Sequence, residues 1–145
     1  MTELTTKQKG DLTELQCITA FYELGYTVSI PYGENSRYDF IADVNGKLIR
    51  VQVKSALQKD DGSAFEFSCR SVLTNSNKVT LKTYTVEEID YFCTYFKNKC
   101  YLVPVTECVR SKTLRLKPPR IKQLDRIHMA EDYELHKQID KIKLC

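Results

Sequence analysis

Two runs of alternating apolar and polar residues, joined by an Asn-Gly pair, dominate the pattern of residues 38–54. Such runs on either side of Asn-Gly are typical of a tight β-hairpin. Successive side chains of a strand point to opposite faces, so Gln52 and Lys54 share one face of the return strand. Asp39 opens the first strand. The hairpin can therefore hold a carboxylate, an amide oxygen and an ammonium group on neighbouring strands.

A helical pattern precedes this hairpin. Thr5 and Gln8 have the spacing of a capping box, which predicts a helix that runs to about Leu24. At about 100° per residue, Lys7 and Glu14 lie on the same face as the apolar residues of this helix. Glu14 is thus a carboxylate among apolar neighbours, whereas a solvated glutamate is expected on the opposite side.

The rest of the chain alternates between strands and helices. Further strands are predicted at 26–30, 64–69, 92–96 and 100–105. A second capping-box pattern, Thr85-x-x-Glu88, predicts a short helix over 86–91, and residues 123–143 have helical spacing. Residues 70–80 look irregular and predict a mobile loop. This order of elements predicts an α/β or α+β fold with a single sheet.

Size and composition indicate one globular domain spanning residues 1–145. No apolar run approaches the length of a membrane span and no secretory signal opens the chain, so we expect a cytoplasmic protein without a membrane partner. Net charge is only +3, but seven Lys/Arg and one acid lie between Arg110 and Arg126. This basic segment suits phosphate contacts and a solvated surface equally well. We interpret 106–145 as a basic linker and a C-terminal helix, which self-assembly could use.

Six cysteines are present, and none forms a C-x-x-C pair. Their spacing does not match a common zinc motif. In a reducing compartment a free cysteine behaves as a small apolar residue. We therefore expect buried free thiols rather than disulfides or metal ligands.

The polar residues of the first helix and the hairpin resemble the PD-(D/E)XK nuclease superfamily. The matching residues are Glu14 on the helix, Asp39 at the start of the second strand, and Gln52-x-Lys54 on the third. Within that superfamily the chain resembles the intron-encoded homing endonuclease of this fold through Gly25-Tyr26, Pro31, Tyr38-Asp39, Gln52-Val53-Lys54, Ile89-Asp90-Tyr91-Phe92 and Tyr101-Leu102-Val103-Pro104. The resemblance covers about residues 7–105. It implies an α/β core in which helices flank a central mixed sheet.

The resemblance also implies a site for Mg²⁺ or Mn²⁺, ions that suit oxygen ligands. Asp39 is implied as a direct ligand, and Glu14 as a second ligand or as the holder of a coordinated water. The carbonyl oxygens of Gln52 and Val53 could complete the shell. Lys54 is implied to orient or activate the attacking water and to neutralise charge in the transition state. Gln52 stands where the family usually has an acid, so the site has one negative charge fewer.

Double-stranded DNA is the implied substrate. Candidate DNA contacts are Lys7, Arg37, Asn75, Asn77, Lys78 and Lys82. A single metal site cuts one strand, so a double-strand break requires a homo-oligomer, either a dimer or a tetramer. Alternative interpretations are a Holliday-junction resolvase or a restriction-type nuclease with the same core, and a non-catalytic DNA-binding module with this fold.

Overall fold

The computed structural model describes residues 2–59, 61–118 and 127–145. The α-helices in these ranges are α1 (Thr6–Glu23) and α2 (Leu135–Leu144). The strands are β1 (Thr27–Ser29), β2 (Phe40–Val44), β3 (Lys47–Val53), β4 (Leu57–Lys59), β5 (Ala64–Ser68), β6 (Arg70–Asn75), β7 (Lys78–Thr83), β8 (Tyr91–Phe96), β9 (Lys99–Pro104) and β10 (Ser111–Arg115). Short 3-10 helices lie at Val105–Glu107 and Ala130–Tyr133. Over these same ranges, no helix combines the length and the apolar character needed to cross a bilayer.

The main sheet has five strands in the order β1-β2-β3-β8-β9. Strands β3 and β8 run parallel, and the other neighbours run antiparallel, so the sheet is mixed. Both helices pack on one face of this sheet, where Phe21 of α1 meets Phe40 of β2 edge to face at 5.5 Å. The predicted α/β fold with a central mixed sheet and helices is confirmed, but the expectation of a single sheet is wrong, because the described residues also form a three-stranded and a two-stranded sheet.

A second apolar core fills the opposite face of the main sheet. The three-stranded sheet β10-β5-β4 covers it, and the ring of Phe65 from β5 stacks on Phe96 of β8 at 4.5 Å. Strands β8 and β9 therefore bury side chains on both faces. Their continuous apolar character, such as Tyr101 to Val103, follows from this position.

The β2–β3 hairpin and α1 form as the local pattern predicts. Asn45 and Gly46 both have positive φ, 53° and 92°, as a two-residue hairpin turn requires. At the start of α1, Gln8 N–H donates to Thr5 Oγ1 and the Gln8 side chain accepts from Thr5 N–H, which completes the capping box. Asp43 accepts from Gly46 N–H at 2.7 Å, so its carboxylate stabilises the turn.

The prediction of a mobile loop at 70–80 is wrong. Strands β6 and β7 pair antiparallel from Arg70↔Thr83 to Asn75↔Lys78 and form a two-stranded ribbon. Every residue from 72 to 83 is exposed. No face of the ribbon is buried, so selection for an alternating pattern is weak and the pairing is hard to recognise from sequence.

The predicted helix at 86–91 is also wrong. Glu88 Oε1 accepts from Thr85 N–H at 3.1 Å, but the chain completes a single turn only. Asp90 N–H then donates to the carbonyl of Arg50 at 2.9 Å, which draws the chain into β8. Sheet pairing therefore ends the helical turn before it can propagate.

The C-terminal segment departs from the predicted linker and helix. Of the helix expected at 123–143, residues 123–126 lie outside the described residues, and 127–134 form an isolated bridge at Met129 followed by a 3-10 turn. Helix α2 begins only at Leu135. Part of the expected linker is β10, which pairs antiparallel with β5 at the edge of the three-stranded sheet.

We expect the glycine of the hairpin turn to be required for stability. Gly46→Ala places a Cβ on a left-handed residue and should lower the free energy of unfolding by about 1–2 kcal/mol. Gly10→Ala is the matched control: an added Cβ has open space within a helix, so stability should rise by about 0.5–1 kcal/mol. Urea unfolding measures both. A Gly46→Ala protein as stable as the parent would contradict the assigned turn.

Candidate active site

Asp39 lies at the point where the β2–β3 pairing ends. Its backbone N–H donates to the carbonyl of Val51 at 2.8 Å, and its Oδ2 accepts from Val53 N–H at 2.7 Å. The carboxylate is half-buried, and these two bonds fix its position relative to β3. Its pKa is raised by burial, and the Val53 N–H and the positive charge of Lys54 oppose that shift.

The amide of Gln52 faces the Asp39 carboxylate. With its nitrogen inward, the amide donates to Asp39 Oδ2 at 3.2 Å and to the backbone carbonyl of Arg37 at 2.6 Å. Rotation of the amide by 180° would put its oxygen in the same place, so that oxygens of all three residues converge. A set of hard oxygen donors of this kind matches a divalent cation such as Mg²⁺. Without a cation, the N–H orientation avoids contact between oxygens.

Glu14 approaches the same place from helix α1. It lines a groove of about 220 Å³ together with Pro31, Glu34, Tyr38 and Asp39. The pKa of Glu14 is raised by burial first, and also by the negative charges of Asp39 and Asp11. Glu14 and Asp39 are therefore a pair of carboxylates for which a cation would relieve the mutual repulsion.

Lys54 follows β3 immediately and is half-buried. Its Nζ donates to the backbone carbonyl of Arg70 at 3.0 Å and lies 5.1 Å from the ring centre of Tyr84. Burial lowers the pKa of Lys54, and the negative charge of Asp39 opposes this shift. Lys54, which is expected to act on water, is thus hydrogen-bonded to Arg70, the first residue of the β6–β7 ribbon.

The side chain of Arg37 forms an internal network at the base of that ribbon. Its guanidinium donates to Glu88 Oε2 at 2.8 Å, to Ser71 Oγ at 2.7 Å and to the carbonyl of Thr83 at 3.0 Å. It also lies 3.9 Å from the ring centre of Tyr84. These contacts use three of the five N–H groups of the guanidinium, and the contact of Arg37 with DNA stays a prediction. Arg37 therefore holds the ribbon in place, and its backbone carbonyl faces the site.

The model of the PD-(D/E)XK endonuclease family matches residues 4–136. The chain belongs to this family. It is a DNA endonuclease, as predicted. Among solved structures, the endonuclease is similar to the bacterial homing endonuclease I-Ssp6803I, with 24% identity, a TM-score of 0.75 and 97% of each chain covered. This likeness shows a shared fold. No curated protein sequence matches the chain.

The other predicted DNA contacts of the endonuclease lie on two exposed surfaces. Cross-strand pairing places Asn75, Lys78 and Lys82 on one face of the ribbon, and Asn77 lies in the turn at its tip. The Nζ of Lys82 also lies 3.8 Å from Glu88. Lys7 is exposed in the first turn of α1, apart from the ribbon along the chain. The structure thus groups three of the predicted contacts on a single face.

Two residues near the site were not predicted to belong to it. Tyr84 is half-buried and packs on the second core, and its ring also faces Arg37 and Lys54. The sequence offered no signal for Tyr84, because the segment before it was predicted to be a loop. Glu34 lines the groove beside Glu14 and lies in a turn-rich stretch whose sequence shows no periodicity.

We expect Glu14→Gln to stabilise the endonuclease in the absence of divalent cations. Because the folded-state pKa of Glu14 is raised, ionisation costs stability once the pH exceeds the unfolded pKa of about 4.3. The gain should therefore be present at about pH 7 and disappear near about pH 3. Thermal unfolding in EDTA measures it. Asp140→Asn, exposed on α2, is the control for loss of a carboxylate. A lower unfolding temperature for Glu14→Gln at neutral pH would contradict the assignment.

Proposed function

We propose that this endonuclease is a homing enzyme that acts in the cytoplasm. It hydrolyses phosphodiester bonds of double-stranded DNA at a specific target, uses Mg²⁺ or Mn²⁺, and makes a double-strand break. The observation that carries this proposal is the convergence of the Asp39, Gln52 and Arg37 oxygens beside Glu14 and Lys54. The fold that it shares with a bacterial homing endonuclease supports the homing role.

The donor set fits a divalent cation. Asp39 would hold it directly, with Glu14 as a second ligand or through water, and the oxygens of Gln52 and Val53 would complete the shell. Such an ion supplies charge stabilisation to the scissile phosphate. Gln52 contributes no charge, so the two carboxylates carry the negative charge of the site. Their raised pKa values mean that cation binding weakens as the pH falls.

Lys54 contributes a positive charge and a proton at Nζ. Its ammonium is half-buried, so it interacts with a phosphate more strongly than a solvated lysine would. The lowered pKa also makes exchange of its proton with a nearby water easier than for an ordinary lysine. We assign to Lys54 the orientation of the attacking water and the neutralisation of charge on the phosphate. The Arg70 carbonyl and the Tyr84 ring set its position.

The β6–β7 ribbon is the proposed target-reading element. The major groove of B-DNA admits a two-stranded β-ribbon. Its face with Asn75, Lys78 and Lys82 offers one amide, which can pair with adenine, and two ammonium groups for phosphates or guanine. Asn77 extends this surface at the tip, and Lys7 is a further phosphate contact from α1. The network of Arg37 supports the ribbon from beneath.

A double-strand break requires two copies of the proposed site. Two chains related by a two-fold axis can place one site on each strand, and a tetramer would extend the DNA contact further. Helix α2 was the candidate for assembly. However, it buries Leu135, Ile139 and Ile142 in the core of its own chain, which leaves only its outer face for a partner.

We expect Asp39→Asn to slow cleavage strongly, whereas the equivalent change at Asp43 of β2 should not. Asp39→Asn removes one charge from the cation site and should slow plasmid cleavage in Mg²⁺ by more than about 100-fold. Asp43→Asn is the matched control, because an Asn oxygen can still accept from Gly46 N–H. Binding of the target DNA in Ca²⁺, measured by gel shift, should survive both changes.

The products of this assay also test the assembly. The expected outcome is linear plasmid without accumulation of nicked circles, because an oligomer with one site on each strand cuts both strands, and light scattering should show a dimer or a tetramer. Wild-type protein that binds DNA but cuts neither its target nor a four-way junction would refute the enzymatic role. Selective cleavage of the junction alone would replace homing by junction resolution.

We expect the basic face of the ribbon to contribute phosphate contacts. Lys78→Ala and Lys82→Ala should each reduce the slope of log affinity against log salt by about 1. Lys141→Ala, exposed on α2, is the control and should leave the slope unchanged. The measurement is DNA binding by fluorescence anisotropy over a salt series. Equal slopes for all four proteins would place the DNA elsewhere.

A further inference from the structure

Three thiols lie close together between the main sheet and α1, the helix that carries Glu14. Cys17 of α1, Cys93 of β8 and Cys100 of β9 have their sulfur atoms within 4.8 Å of one another. Their exposed fractions are 0%, 1% and 8%. They lie in the first apolar core, between the helix and the sheet, and take no part in the proposed hydrolysis. The expectation of buried free thiols therefore describes them incompletely, since three of them form a cluster.

The strand register disfavours a disulfide in this cluster. Cys93 pairs with Leu102 and Cys100 pairs with Tyr95, so the two cysteines are diagonal neighbours on one face. Diagonal positions are separated by about 7–8 Å, whereas the Cα atoms of a disulfide are usually about 4.4–6.8 Å apart. Their sulfur atoms are nevertheless only 3.3 Å apart. The thiols can thus share a ligand without backbone movement, although they are poorly placed to bond to each other.

The number and spacing of the sulfurs suit a three-coordinate ion. Metal–sulfur bonds of about 2.3 Å arranged in a plane hold three sulfurs about 4.0 Å apart, and all three sulfurs of the cluster lie within 4.8 Å of one another. Among the described residues, no histidine or carboxylate joins the three cysteines as a fourth ligand. A closed tetrahedral zinc site needs four ligands, and thiolates favour soft ions such as Cu(I).

Access to the cluster is through Cys100. This residue lines two surface grooves, one beside Leu135 of α2 and the other beside Leu15 of α1. An incoming ion therefore meets Cys100 at the edge of the core, with the two other thiols of the cluster behind it.

We propose that Cys17, Cys93 and Cys100 form a three-coordinate thiolate site for a soft monovalent cation of the Cu(I) type. Each sulfur that binds as a thiolate gives up its proton to solvent as the metal–sulfur bond forms, so affinity rises with pH. A monovalent ion balances one thiolate, so the core carries no net charge when a single thiol ionises. The bound ion ties α1 to β8 and β9. Glu14 lies one helical turn before Cys17, so the ion also fixes the helix that carries this carboxylate.

Titration of the full-length, reduced Cys145→Ser protein with Cu(I) under anaerobic conditions tests the proposal. The Cys145→Ser background removes the exposed thiol. Competition with a chromophoric Cu(I) chelator should show one tightly bound ion per chain, a higher unfolding temperature and three sulfur neighbours by X-ray absorption. Cys17→Ala and Cys93→Ala should each lose the tight site, and Cys108→Ala, which removes a half-buried thiol outside the cluster, should keep it.

Several results would overturn the proposal. They are the absence of a bound ion, a tight site that persists in Cys17→Ala and Cys93→Ala, and loss of the site in Cys108→Ala. Circular dichroism of each variant without the ion separates a lost ligand from a lost fold. If Cys17→Ala does not fold, the X-ray absorption spectrum of the Cys145→Ser protein decides alone, since fewer than three sulfur neighbours contradicts the site. This test does not depend on nuclease activity.

Discussion

The hydrogen bond from the Val53 amide to the carboxylate of Asp39 is the contact on which the site depends. It forms where the backbone pairing of β2 and β3 stops, and it satisfies an N–H group at the end of the hairpin. The same bond aims the carboxylate at the end of β3. Gln52 and Lys54, on either side of Val53, then face Asp39 because alternate residues of a strand share a face. This one hydrogen bond thereby links the end of the hairpin to the positions of the Asp39, Gln52 and Lys54 side chains.

The site is costly to the fold, and the two cores on either side of the main sheet offset that cost. Asp39 and Glu14 are held where burial disfavours their ionised forms, and Lys54 is held where burial disfavours its charge. Buried aromatic residues on both faces of the sheet, such as Phe21 and Phe65, provide the compensating apolar contacts. Charged groups whose pKa values are shifted by burial, held within a well-packed fold, are typical of functional sites.

Local rules predicted the parts of the molecule that local interactions determine. The capping box at Thr5 and the turn at Asn45 act within a few residues, and both form as expected. Glu14 was identifiable because its place on an apolar helix face conflicts with ordinary solvation. The helix predicted at 86–91 stops after a single turn. This end was not predictable, because the distant pairing of Asp90 with Arg50 overrides a correct local signal.

Other features depend on partners that the sequence does not specify. The charge of Arg37 is evident from the sequence. Its hydrogen-bond partners come from distant segments of the chain and are Glu88, Ser71 and Thr83. The same applies to Cys17, whose neighbouring thiols lie on strands far along the chain. In each case the residue type was evident, and only the assembled sheet shows what surrounds it.

The β6–β7 ribbon has a consequence for the history of the protein. Residues 72 to 83 are exposed, so substitutions among them remove little buried surface and change folding stability little. The ribbon can therefore accumulate mutations while the sheet beneath it stays intact. If the ribbon reads DNA as we propose, a lineage can follow a drifting target by changing this element without redesigning the rest, and so can a laboratory selection.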